Sequence, residues 1–169
     1  MLELGCGTAL ASIACAKLGA ASVIATDANP EVLSLAERNI ERNDASGTAK
    51  TAPLQWGLMD AFEYESVADV IIGSDLTYNS GSWLALAETM STVLKPGGVV
   101  IYLSLGHSGF NVGGEMAGFL STVESKGLRI LTKESNQLTT ILQNSLAPNE
   151  KRVIDANGGA RVTLLERKK

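Results

Sequence analysis

Two glycines one residue apart, Gly5 and Gly7, close a short apolar run, and a carboxylate, Asp27, ends the next apolar run about twenty residues later. Glycines without a Cβ let backbone approach a ligand closely, and an acid at the end of a second strand can accept hydrogen bonds from ribose hydroxyls. This is the wiring of a nucleoside site at the start of a βαβ unit. G-x-G-x-x-G would need a third glycine where Leu10 stands, which disfavours NAD. No glycine precedes a lysine, so a phosphate loop of the G-x-x-x-x-G-K-[ST] type is absent. The bland alternative is a ligand-free glycine turn, and the matching acid at Asp27 argues against it.

Further along, Trp56 follows the third apolar segment, and Ser74-Asp75-Leu76-Thr77-Tyr78 follows the fourth. An aspartate can hold an amine by hydrogen bonds, and a tyrosine ring can face a cation. Their ordinary alternative is a turn-capping Asp75 and a Tyr78 packed under the next helix. Trp56 can wall a base or simply fill an edge-strand position. His107, the single histidine, lies in Gly106-His107-Ser108-Gly109-Phe110, where a nucleophile elbow would need glycine in place of Phe110. It reads as a solvated loop histidine. Cys6 and Cys15 fit neither a zinc site nor a redox pair and read as reduced small apolar residues.

The elements that position these residues alternate between strands and helices. Thr8 is a candidate cap for a helix burying Leu10, Ile13, Ala14 and Leu18, with Gly19 closing it. Strand two covers 22–26. Asn29-Pro30-Glu31 then starts a helix with Val32, Leu33, Ala36 and Ile40 inward. The segment 52–56 contains Pro53, which suits an edge strand. Residues 68–73 form a buried strand, 82–94 a helix ended by Lys95-Pro96-Gly97-Gly98, and 99–104 strand five. A helix at 115–126, a strand at 128–132 and a last strand at 162–165 follow, while 135–158 yields no element.

Together, E-L-G-C-G-T, Leu54-Gln55-Trp56-Gly57 and Asp75-Leu76-Thr77-Tyr78 resemble the motifs of the methyltransferase 16 family of protein-lysine methyltransferases, over residues 1–126. Ala9 stands where most such enzymes carry a third glycine. The resemblance implies an α/β fold: a Rossmann-like doubly wound sheet of the seven-strand methyltransferase type, mostly parallel, with its last strand antiparallel between strands five and six. It implies S-adenosylmethionine as cofactor, with Gly5, Cys6 and Gly7 on its methionine and ribose side, Asp27 on the ribose, Trp56 and Ser74 at the adenine, and Glu3 counted with them. Asp75 and Tyr78 become the catalytic pair, acting on a protein lysine. A small-molecule amine or a histidine as acceptor, and an inactive binding module, stay open.

The chain of 169 residues reads as one domain, 1–169, lacking the amino-terminal helices that the resembling family places ahead of its first strand. Its net charge of −4 and its lack of a basic cluster before Arg167-Lys168-Lys169 disfavour nucleic acid and suit a basic substrate. No apolar run approaches a membrane span, and no signal peptide is present. The expectation is a metal-free cytoplasmic or nuclear monomer whose partner is a protein presenting a lysine.

Overall fold

The computed structural model describes residues 1–105, 112–148 and 160–168. The chain order is β1 (Leu2–Leu4), α1 (Leu10–Lys17), β2 (Val23–Asp27), α2 (Pro30–Arg42), β3 (Ala49–Pro53), α3 (Leu58–Ala61), β4 (Ala68–Ser74), α4 (Trp83–Val93), β5 (Leu94–Leu105), α5 (Val112–Ser125), β6 (Leu128–Ile130), α6 (Thr132–Ser145) and β7 (Ala160–Arg167). The strands form one sheet ordered β3-β2-β1-β4-β5-β7-β6. β1 to β5 pair parallel, and β7 runs antiparallel to both β5 and β6, as the family resemblance implies.

Alternation along each strand sends side chains to two helical layers. Leu2, Leu4, Ile71, Val100 and Tyr102 pack beneath α3, α4 and α5 with Leu86, Met90 and Phe119. Val23 and Ala25 face α1 and α2, where Ile13, Ala36 and Ile40 close the second core. α2 begins as its sequence dictates: Asn29 Oδ1 accepts the Glu31 N–H at 2.9 Å, and Pro30 fills the first turn.

Several expectations require correction. α1 does not bury the Leu10 face, for Leu10 and Leu18 are 75% and 87% exposed and Ala14 is also exposed. Of the expected face only Ile13 is buried, and Ser12 turns inward beside it. Thr8 does not cap it; Ala9 occupies the cap position at φ 61 without a side-chain bond. The helix start is satisfied from the sheet, where Glu3 Oε2 accepts Ser12 N–H at 3.0 Å and Ser12 Oγ–H at 2.5 Å. β3 lies three residues earlier than the apolar segment suggests: its ladder with β2 runs from Ala49 to Pro53, and only the Leu54 N–H bond to Asp27 O extends it. Residues 95–98 do not end α4 in a turn. They form an irregularity within β5, where a Cβ on Gly98 would meet Lys95 O at 2.9 Å and Asp69 O at 3.0 Å. α6 occupies much of the segment left without an element, docking through polar atoms: Thr139 Oγ1 and Ser135 Oγ accept the Val162 and Leu164 N–H groups at 3.0 and 2.9 Å. His107 and residues 149–158 lie outside the described residues. No described helix is long and apolar enough to cross a membrane.

Candidate functional site

The carboxyl ends of β1, β2, β3 and β4 surround a cleft of about 600 Å³, lined by Gly5, Gly7, Asp27, Leu54, Trp56, Ser74, Asp75, Leu76 and Tyr78 among others. β1 lies between β2 and β4, with strand order running outward from it to β3 on one side and to β5 on the other, so the crevice opens where a doubly wound sheet reverses its strand order. The turn after β1 passes through Gly5 at φ +59 and Gly7 at φ +51, a conformation only glycine adopts without strain. A Cβ on Gly5 would lie 2.7 Å from Leu76 Cδ2 and 3.5 Å from Trp56 Cζ2. Ala9, the third position of the turn, is left-handed too at φ 61, a conformation that alanine adopts at a cost.

Asp27 sits at the end of β2, where its Oδ1 accepts Asn29 N–H at 3.0 Å and its Oδ2 faces Gly7 N–H at 3.4 Å. Its backbone carbonyl accepts Leu54 N–H at 3.1 Å, tying the loop before Trp56 to the same strand end. Trp56 is half-buried, lining the cleft while also packing on the core of the α3–α5 layer. Gly57 N–H donates to Thr89 Oγ1 at 2.8 Å, which anchors that loop on α4.

On the other wall, Ser74 and Asp75 leave β4. Asp75 is held at φ +57, and its N–H continues the ladder to Leu103 O at 2.8 Å. Tyr78 lines the cleft rim but is 68% exposed, so it does not pack under the following helix. Seven of the nine residues singled out in the sequence, Gly5, Gly7, Asp27, Trp56, Ser74, Asp75 and Tyr78, thus meet in one cleft.

Glu3 and Cys6 are not among the residues lining it. Glu3 is buried on the α1 side of β1, where its carboxylate holds Ser12. Burial raises its pKa, and the two Ser12 bonds oppose that rise. Cys6 packs with Ala9 and Ile13, and its N–H is committed to Thr26 O at 2.8 Å. Its thiol is pushed up to about 12 by burial first, then by the Glu3 and Asp27 carboxylates, so it stays protonated at neutral pH. Leu76 lines the cleft as well, and its N–H donates to Tyr102 Oη at 2.9 Å, two residues that the motifs do not single out. A tyrosine inside the apolar run Val99–Leu103 was the available signal, since a buried phenol needs a partner for its hydroxyl. Among the described residues no group of acidic, histidine or cysteine side chains could hold a metal ion.

The family model described as lysine methyltransferase matches residues 1–110. The chain belongs to that family. Calmodulin-lysine N-methyltransferase of Arabidopsis thaliana is 35% identical over 99 residues, covering 56% of this chain and 33% of that protein. Protein-lysine N-methyltransferase EFM3 of Chaetomium thermophilum is 32% identical over 152 residues, covering 75% of this chain and 45% of that one. This member of the family therefore spans a third to under half of the length of these curated relatives. In fold it resembles the aminoglycoside resistance methyltransferase NpmB1, with a TM-score of 0.67 at 18% identity over 98% of this chain and 85% of the other. Fold and family are those of S-adenosylmethionine-dependent methyltransferases.

Proposed function

We propose that this family member transfers a methyl group from S-adenosylmethionine to the side-chain nitrogen of a protein lysine. The observation that carries the reading is the single cleft shared by the glycine turn, Asp27 and Asp75-to-Tyr78. The residues present fit the cofactor. Gly5 and Gly7 bring bare backbone to the cleft wall, with open space beside Gly7 where a Cβ would meet nothing within 4 Å; Asp27 offers a carboxylate to vicinal hydroxyls, and Trp56 offers an aromatic wall for a base. Bound there, S-adenosylmethionine supplies an electrophilic methyl on a sulfonium, open to in-line displacement by an amine lone pair.

The chain's own task is alignment. Gly5 and Gly7 admit the ligand to the backbone, Asp27 holds the ribose, and Ser74 and Trp56 flank the adenine. A lysine ammonium has no lone pair and must first release a proton to solvent, which desolvation in the cleft favours. The Asp75 carboxylate orients the resulting amine. The Tyr78 ring at the rim faces the incoming cation, an attraction of about 0.5–1 kcal/mol at an exposed site. The segment from Thr51 to Leu94, which supplies Trp56, Ser74, Asp75 and Tyr78, contains no Lys, Arg or His, so this wall does not repel a cationic substrate. The names of the two relatives above, both acting on protein lysines, support the acceptor.

The test is incubation of the chain with cell extract and isotopically labelled S-adenosylmethionine, followed by mass spectrometry. Label on lysine in a protein is the expected result. Label on histidine or on a small amine overturns the acceptor, and cofactor binding with no transfer overturns the activity.

A further inference from the structure

The loop carrying Asp75 starts from an unfavourable conformation, since a non-glycine residue at φ +57 persists only where its surroundings hold it. Those surroundings converge on one hydroxyl. Leu76 N–H donates to Tyr102 Oη at 2.9 Å, and Thr77 Oγ1 shares a 3.0 Å hydrogen bond with the same oxygen. Trp83 Nε1–H closes the far side by donating to Thr77 O at 2.9 Å.

Tyr102 is itself fixed. It is fully buried in the middle of β5, with its ring centroid 5.7 Å from that of Phe119. Burial raises its pKa, with the Thr77 and Leu76 hydrogen bonds opposing, so the phenol keeps its proton. The Leu76 side chain in turn occupies space left by two glycines. A Cβ on Gly5 would approach its Cδ2 to 2.7 Å, and one on Gly73 its Cδ1 to 2.9 Å. Leu76 therefore sits between the cofactor-side turn and the end of β4, and its backbone amide hangs on Tyr102.

We propose that Tyr102 is a positioning residue: its hydroxyl fixes the Leu76–Thr77 backbone and so sets Asp75 in register with the Gly5 turn. Its effect on turnover rests on the methyl-transfer reading, whereas the clamp itself does not. Tyr102→Phe removes the hydroxyl and keeps the ring against Phe119, leaving the Leu76 amide buried without its acceptor.

The experiment compares the wild-type chain and Tyr102→Phe by residue-resolved amide exchange, calorimetric titration with S-adenosylmethionine, and steady-state kinetics on a lysine acceptor. Leu76 exchange should rise by about tenfold or more while β1 and β2 amides keep their protection. Cofactor affinity should change by less than about threefold while kcat falls by about tenfold or more, with acceptor KM little altered. Unchanged exchange at Leu76 overturns the clamp, and a parallel fall in cofactor affinity and kcat reduces Tyr102 to a core residue. Should Tyr102→Phe not fold, Thr77→Val decides in its place: it removes one partner of the hydroxyl and should raise loop exchange in the same direction, and no change there overturns the proposal. A wild-type chain that binds cofactor but methylates no lysine sinks the methyl-transfer reading, while the Leu76 exchange still judges the clamp.

Discussion

Gly5→Ala and Gly7→Ala are the same chemical change two positions apart, and the structure gives them different costs. Both glycines have positive φ, +59 and +51, so an alanine at either loses about 1–2 kcal/mol to left-handed strain. A less flexible unfolded chain offsets about 0.4–1 kcal/mol of that. At Gly7 nothing lies within 4 Å of the added Cβ, which leaves a net loss of about 0–1.5 kcal/mol. At Gly5 the Cβ falls 2.7 Å from Leu76 Cδ2. Leu76 is buried in the core and cannot swing into solvent, so overpacking adds about 1–3 kcal/mol. The sum for Gly5→Ala is a loss of about 1–4.5 kcal/mol. Urea unfolding monitored by tryptophan fluorescence measures both variants, and Trp56 beside Gly5 makes the probe local to the change. Midpoints should separate by an amount that, multiplied by the shared m-value, is at least about 1 kcal/mol. Coincident midpoints would refute the claim that Leu76 and the glycine turn are packed as one unit.

Asp27→Ala should weaken S-adenosylmethionine binding by roughly 1.5–3 kcal/mol in calorimetry, the scale of hydrogen bonds to a charged group, and unchanged affinity in a folded variant would remove Asp27 from the ribose site. Asp75→Asn retains a side chain that tolerates the left-handed region but removes the charge, so turnover should fall by about tenfold or more with cofactor affinity within about twofold. Equal loss of both would make Asp75 a turn residue. For Glu3, burial places the folded carboxyl above the ordinary value of 4.5, so the unfolded chain binds fewer protons through that window and stability falls as pH rises from 4.5 through the raised value. Glu3→Gln cannot ionise and should show a flatter urea midpoint from about pH 4 upward; identical slopes in the two proteins would contradict the assignment.

The sheet and most of the cleft were legible because their signals are local. β-branched runs mark buried strands, Asn29-Pro30-Glu31 marks a helix start, Pro53 marks an edge, and the glycines and Asp27 report strand ends directly. What was not legible depends on partners distant in sequence. Glu3 looked like part of a ligand motif, yet its carboxylate is used by Ser12, nine residues away on a helix that only tertiary packing brings alongside. The apolar periodicity of α1 suggested a buried Leu10 face, but that hydrogen bond rotates Ser12 inward and leaves Leu10 and Leu18 in solvent. α6 carried little hydrophobic signal because its hydroxyls bond the backbone of β7 beyond the end of the short β6. Such docking reads as a polar loop until the sheet is assembled.

The cleft also shows why two separate motifs must be read together. Gly5 belongs to the turn after β1 and Gly73 to the carboxyl end of β4, and each lacks a side chain where Leu76 needs room. Parallel pairing of β1 with β4 sets Leu4 opposite Gly73, so these two positions are neighbours by register, not by accident of loop shape. Leu76 is thus seated by the same strand pairing that creates the crevice. Because protein interiors yield little to added or displaced atoms, a shift of the glycine turn is passed to Leu76 and from there to the adjoining Asp75. The distance between the two sides of the cleft is therefore set by packing, with the Tyr102 hydroxyl fixing where along β5 that packed unit rests.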